Sequence, residues 1–292
     1  MGWNDIPETV QESAPSQKEV KIMAKNAEGV TLNAPKSVKK EIIKGNNKVI
    51  FSIYGQKGAG KTMACLSLLQ DSDTALALSF DGKTRVIKEN YFNNIRLEIY
   101  DVNIFPRFIV RINAGILEPY EPVENSYKNS QLMFEKLNTL ADDSLDYIII
   151  DGLNICEKMA EGWMRYKHGL SYNDKFRDWN FWKDRNLFMN SLLSISMQKV
   201  RKGVIYTLYT ATNVKRKEEG DEIDTEEVPK YQEDAMVLTD AVIKIEKQDK
   251  RGKDGSSARS YTALIDSSKI KSIKSGTKFD ITDKKLCEVL KW

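Results

Sequence analysis

The residues with the clearest chemical signature form the octapeptide GQKGAGKT. It matches the pattern G-x-x-x-x-G-K-[ST] at every fixed position, namely Gly55, Gly60, Lys61 and Thr62. Glycines at this spacing let backbone amides close around phosphate oxygens. The motif predicts a phosphate-binding loop, or P-loop, in which Lys61 reaches the β- and γ-phosphates of a nucleoside triphosphate and Thr62 ligates Mg²⁺. The residues predicted to bind the nucleotide are Gly55, Gln56, Lys57, Gly58, Ala59, Gly60, Lys61, Thr62 and Met63.

Two aspartates that follow apolar runs are the carboxylates expected at the same site. Asp151 ends LDYIIID, whose residues 147–150 have the pattern of a strand buried on both faces. It would hold Mg²⁺ through a water, or instead cap the following helix. Asp81 follows the apolar run 75–80 and is the candidate for orienting or deprotonating the attacking water, with a turn-forming Asp-Gly pair as the alternative. The predicted catalytic set is therefore Lys61, Asp81 and Asp151.

A later strand, GVIYTLYTAT, is expected to end in polar residues that face the same edge of the sheet. Thr210, Thr212 and the adjacent Asn213 are candidate sensors of the γ-phosphate, and capping of a turn is the simpler alternative. His168 is the only histidine, which excludes a histidine-rich metal site and argues against a Ser-His-Asp triad.

The apolar runs predict strands that alternate with helices, beginning at KVIFSIY. This alternation favours an α/β fold with a mainly parallel sheet covered by helices on its faces, extended late by an antiparallel hairpin. DAVIKIEK, SYTALID and KIKSIKS are predicted to be three late strands. The segment from Lys217 to Asp234 holds nine acidic residues and two lysines, and we expect it to be a mobile loop.

The composition limits which other classes of protein the chain can belong to. Of 292 residues, 30% are charged, and we find no apolar run near the roughly 18 residues that would cross a bilayer, so no membrane association is expected. Three scattered cysteines and an N-terminus unlike a secretory signal predict a reducing cytoplasm. Residues 1–45, broken by three prolines, are predicted to be a tail or docking arm, and residues 46–292 the nucleotide-binding domain.

The net charge of +3 is too small to indicate a nucleic-acid-binding protein by itself. From Lys244 to Lys278, however, ten basic residues stand against four acidic ones. Such a stretch is usually a solvated face, and contact with a phosphate backbone is the alternative.

The order of P-loop, acid-ended strand, buried strand ending in Asp151, long helix, polar-ended strand, acidic loop and terminal hairpin resembles the RecA-like ATPase core, from about Lys48 to Lys278. It looks most like the single-domain RecA-like proteins of phages and archaeal viruses grouped with Sak-type recombinases. The resemblance implies a RecA-like P-loop NTPase fold that hydrolyses ATP with Mg²⁺, and a homo-oligomer with ATP at subunit interfaces. It also implies binding of DNA, chiefly single-stranded, during recombination or replication, in the host cytoplasm if the protein is viral.

The sequence departs from this family in two places. The catalytic Glu expected after the second strand is matched by the shorter Asp81, and the loop that contacts DNA in recombinases is strongly acidic here. Two other functions therefore stay open. One is a helicase or genome-packaging ring motor, and the other is a switch with little turnover in which ATP orders the acidic loop for a protein partner.

Overall fold

A computed structural model describes the chain over residues 48–102, 111–113, 116–118, 122–171, 174–175, 179–216, 223–230, 233–251 and 257–292. These residues fall in the compact unit Asn46–Trp292, and the predicted tail at residues 1–45 lies outside them. Within the described ranges, no helix has the length and apolarity needed to cross a membrane.

Strands and helices alternate through most of these ranges. The described strands are β1 (Val49–Gly55), β2 (Thr74–Ser79), β3 (Arg96–Asp101), β4 (Arg111–Asn113), β5 (Ile116–Glu118), β6 (Leu145–Asp151), β7 (Val200–Arg216), β8 (Ile223–Pro229), β9 (Ala241–Arg251), β10 (Ser257–Ser268) and β11 (Lys278–Asp280). The described helices are α1 (Lys61–Ser67), α2 (Thr84–Tyr91), α3 (Pro122–Asn138), α4 (Leu153–Lys167), α5 (Trp179–Lys199), α6 (Glu233–Leu238) and α7 (Leu286–Leu290).

A large sheet forms the framework, with the strand order β11-β10-β9-β1-β7-β6-β2-β3, while β8 pairs with β7 outside this path. All neighbours from β9 across to β3 are parallel. β10 runs antiparallel to β9, and β11 runs antiparallel to β10. The predicted α/β fold, with a mainly parallel sheet flanked by helices and a C-terminal antiparallel hairpin, is confirmed.

The sheet is buried on both faces, which explains the continuous apolar runs of its central strands. Ile148 and Ile150 of β6 pack in one cluster with buried residues of α3, α4 and α5. Ile149, on the opposite face of the same strand, packs in a second cluster with Leu66 of α1 and Leu286 of α7. Burying each such side chain contributes roughly 1.5–3 kcal/mol, so the strand ends that carry polar residues rest on a well-fixed core.

The prediction of a loop for the whole acidic segment is wrong. Ile223–Pro229 forms β8, which runs antiparallel along β7 from Thr210 to Arg216. Backbone pairing with β7 specifies this strand, and a search for apolar alternation does not detect such pairing. The first part of the acidic segment, residues 217–222, lies outside the described residues.

The prediction of a strand at KIKSIKS is also wrong, because Lys269–Ser275 forms turns. The amide of Ile273 donates to the carbonyl of Ile270 at 3.0 Å, and the amide of Gly276 donates to the carbonyl of Ile265 at 2.7 Å. Ile270 and Ile273 both pack against the cluster beneath α1 and α7, so their spacing of three serves a turn. The strand itself, β11, starts three residues later.

Candidate nucleotide-binding site

The P-loop joins the end of β1 to the start of α1, and its glycines are required by the backbone. Gly58 and Gly60 have φ angles of +82° and +92°, which L side chains rarely adopt. A Cβ on Gly60 would also lie 3.3 Å from the ring of Tyr261, and one on Gly55 would lie 2.5 Å from the carbonyl oxygen of Ile245 in β9. The motif therefore fits this strand-loop-helix junction at each glycine position.

Lys61 lies folded over the loop. Its Nζ donates to the carbonyl oxygens of Gly55 and Gln56, both at 2.9 Å, and lies 4.6 Å from the centre of the Tyr209 ring. Burial lowers the pKa of Lys61 to about 8. These carbonyl contacts hold the ammonium group at the loop, and phosphate oxygens are the stronger acceptors that would replace them.

Asp151 ends β6 with 2% of its surface exposed, and three threonine hydroxyls surround its carboxylate. Thr62 and Thr84 donate to Oδ2 at 2.9 and 2.8 Å, and Thr207 donates to Oδ1 at 2.8 Å. We call these four residues the hydroxyl cage. Burial raises the pKa of Asp151, and the hydroxyls oppose that rise because they stabilise the charged form.

The alternative role for Asp151, capping of α4, is not what the structure shows. The N-cap of α4 is Gly152, and it receives no side-chain cap. The amide of Gly152 instead donates to Thr207 Oγ1 at 2.7 Å. Thr207 therefore receives one hydrogen bond and passes one on to Asp151, which ties β7 to the end of β6.

Asp81 follows β2 and lines the same cavity as the P-loop. Its Oδ1 accepts the amide of Lys83 at 3.0 Å, and its Oδ2 lies 3.6 Å from Lys83 Nζ. Asp81 thus holds the turn while its carboxylate stays at the cavity wall, so its two alternative roles are compatible. The lining residues are Lys57, Gly58, Gly60, Lys61, Thr62, Asp81, Lys83, Ile87, Asp151, Gly152, Thr207, Leu208 and Tyr209.

Several predicted residues lie elsewhere. Thr210 and Thr212 do not belong to the lining set, because β7 does not end there and pairs at these positions with Pro229 and Glu227 of β8. Ala59 is buried in the core, and Met63 packs against the same core cluster. The side chain of Gln56 donates to Glu227.

Sequence reasoning missed several residues at the site, among them Lys83 and Thr207, which line the cavity, and Thr84, which bonds to Asp151 behind it. Thr84 and Lys83 belong to the tetrapeptide DGKT after β2, in which only Asp81 was predicted to act. Thr207 carries a hydroxyl inside an otherwise apolar run of the sequence. In the structure it is 3% exposed in the interior of β7. A buried polar side chain in such a strand needs a partner, and that requirement is the signal that could have found it.

Comparison with known proteins places this geometry in a family. Residues 47–270, which are 224 of the 292 residues, match the family described as "AAA domain". No curated protein matches the chain. The match supports the predicted P-loop ATPase type, while the likeness to Sak-type recombinases stays a prediction. The match covers about three quarters of the chain and includes the P-loop and the strand that ends in Asp151. The chain therefore belongs to the AAA domain family of P-loop ATPases.

Proposed function

We propose that the protein is a Mg²⁺-dependent ATPase whose site lies between the P-loop and the ends of β6 and β2. The observation that carries the proposal is the 2.9 Å hydrogen bond from Thr62 to Asp151. It places a hydroxyl of the P-loop helix against a buried carboxylate, and oxygen donors of this kind suit Mg²⁺. Thr62 would ligate the ion directly and Asp151 through water. When bound, the ion supplies charge neutralisation at the β- and γ-phosphate oxygens.

The other site residues take roles that follow from their positions. Lys61 exchanges its two carbonyl acceptors for β- and γ-phosphate oxygens, and the loop amides hold the β-phosphate. Asp81 accepts a proton from the attacking water or orients it. The glycine after Asp151 leaves no second carboxylate at the end of β6, which is why Asp81 on the neighbouring strand is the proposed base.

The test is ATP hydrolysis by the purified protein with and without Mg²⁺. We expect hydrolysis to require Mg²⁺ and to disappear in Lys61→Ala. The matched control is Lys284→Ala, since Lys284 is exposed and does not line the cavity. Hydrolysis that survives in Lys61→Ala at the wild-type rate would overturn the proposal.

The finer proposal is that single-stranded DNA stimulates this hydrolysis in an oligomer with ATP between subunits. Pairing of β9 with β1 stops at Lys244, whereas its pairing with β10 continues to Arg251. The hairpin therefore extends beyond β1 at the edge that carries the P-loop. Its described basic residues include Lys247 and Arg259, which share Asp249 as an ion-pair partner.

Hydrolysis should therefore be measured with single-stranded and with duplex oligonucleotides over a series of salt concentrations. Stimulation by single strands that weakens with salt, and that is reduced in Arg259→Gln, would support this proposal. Stimulation by duplex alone would favour the ring motor. The mass of the complex formed with ATP tests the oligomer.

A second candidate function, the nucleotide-dependent switch, is favoured by one contact. Glu227 of β8 accepts a hydrogen bond from Gln56 in the P-loop and pairs with Lys244 of β9 at 3.3 Å. Nucleotide bound in the P-loop would therefore change the contacts of β8, the acidic strand. The switch proposal requires binding of a protein partner to differ between the ATP and ADP states, and equal binding in both would remove it.

A further inference from the structure

The cavity contains a third lysine that belongs to no motif. Lys57 and Lys61 come from the P-loop, whereas Lys83 comes from the turn between β2 and α2. We call these three residues the lysine rim. In the sheet, β7 and β6 lie between β1 and β2, so Lys83 reaches the site from the side opposite the P-loop. A triphosphate held by the loop would direct its terminal phosphate toward this side of the site.

The backbone beside Lys83 is buried and hydrogen bonded, whereas the Lys83 side chain is largely exposed. Thr84, the next residue, is fully buried and bonded to Asp151 at 2.8 Å and to Ser79 Oγ at 3.1 Å. The Lys83 side chain is 57% exposed. An ammonium group on a long flexible stem is therefore anchored directly beside the carboxylate that would hold the ion.

The ion pair of Lys83 is one that phosphate can replace. Its Nζ lies 3.6 Å from Asp81, beyond the roughly 2.7–2.9 Å of a charge-assisted hydrogen bond. Because the ammonium is largely exposed, water competes for it and the pair is weak. A γ-phosphate carries more charge than one carboxylate and attracts the ammonium more strongly.

We propose that Lys83 binds the γ-phosphate of ATP and that this exchange releases Asp81 to accept a proton from the attacking water. The proposal rests on the ATPase function above. Water oxygen attacks the γ-phosphorus, its proton passes to Asp81, and the bond from the γ-phosphorus to the bridging oxygen breaks to leave ADP and phosphate. With ADP there is no γ-phosphate, and Lys83 returns to Asp81. The base is thus available only when there is a phosphate to transfer.

The test compares binding of a non-hydrolysable ATP analogue with binding of ADP, by fluorescence titration, in wild type and Lys83→Gln. We expect the variant to lose roughly tenfold in affinity for the ATP analogue and to bind ADP as wild type does. Lys83→Arg should restore the analogue's affinity because it restores the charge. Lys88→Gln, in helix α2 that follows Lys83 but outside the lining set, is the matched control.

Two further results distinguish a failure of the proposed role of Lys83 from a failure of the proposed ATPase function. Asp81→Asn should lower kcat while binding the ATP analogue at least as tightly as wild type, since it removes the competing partner of Lys83. Equal losses for ADP and the ATP analogue in Lys83→Gln, or no loss for either, would overturn the role of Lys83 while leaving the ATPase intact. Absence of nucleotide binding in wild type would overturn both proposals.

Discussion

The hydroxyl cage and the lysine rim lie in one cavity but are built differently. The acceptor at the centre of the cage is 2% exposed, and the hydrogen bonds around it link β6, β7, α1 and α2. The hydrogen bonds and ion pairs of the rim are to two loop carbonyls and, at 3.6 Å, to Asp81, and phosphate can replace all of them. The difference teaches that the side proposed to hold Mg²⁺ is already organised by hydrogen bonds, whereas the side proposed to hold phosphate would rearrange on binding.

The largest expected effect comes from the centre of the cage. Asp151→Asn keeps the size of the side chain but removes its charge, so we expect the Mg²⁺ concentration for half-maximal hydrolysis to rise roughly 10- to 100-fold. Nucleotide affinity measured without Mg²⁺ should change little, because the rim is intact. If Asp81→Asn raised the Mg²⁺ requirement of hydrolysis as much as Asp151→Asn does, the division of the site into the hydroxyl cage and the lysine rim would be contradicted.

The next effect concerns stability. Thr207→Val removes the acceptor of the Gly152 amide and one donor to Asp151, at a cost of about 1–3 kcal/mol in the free energy of unfolding. Thr207→Ser should recover most of that loss. Lys57→Ala on the rim should change the free energy of unfolding by less than about 0.5 kcal/mol. Denaturant unfolding of the three variants without ligand measures the contrast.

The pH dependence of binding reports on the rim. Lys61 has a pKa of about 8 in the free protein, and bound phosphate raises it because it favours the charged form. Binding therefore takes up protons above pH 8, and nucleotide affinity should fall as pH rises, by roughly tenfold from pH 7 to pH 9. Lys61→Arg should show a flat profile over this range, since arginine keeps its charge. A flat profile in wild type would show that Lys61 is charged throughout.

The smallest effect is expected where the acidic strand meets the loop. Glu227→Gln keeps an acceptor for Gln56 but removes a negative charge beside the phosphate site. We expect nucleotide affinity to rise no more than a few-fold at low salt, and the gain to disappear at high salt. Titrations at two ionic strengths check this.

How much could be foreseen depends on how local each signal was. The P-loop and the strand ending in Asp151 were predicted because a few adjacent residues carry each pattern. Thr207 and Thr84 were not, since they meet Asp151 only after β7, β6 and β2 become neighbours across more than 120 residues of chain. β8 was missed because it is held by main-chain pairing with β7, and such pairing leaves no pattern of apolar residues in β8. The turn at Lys269–Ser275 was misassigned because a lysine-isoleucine alternation resembles a strand until Ile270 and Ile273 are seen to share one core.

The position of β1 has a mechanical consequence. This strand is hydrogen bonded along one edge to β7 and along the other to β9, and both neighbours continue past its end as two-stranded ribbons. A force applied to the far end of either ribbon loads the main-chain hydrogen bonds of β1 in shear, together with those that β7 makes to β6. Displacement at a ribbon and displacement at the P-loop are therefore coupled through the seven residues of β1, in addition to the direct contact between Gln56 and Glu227.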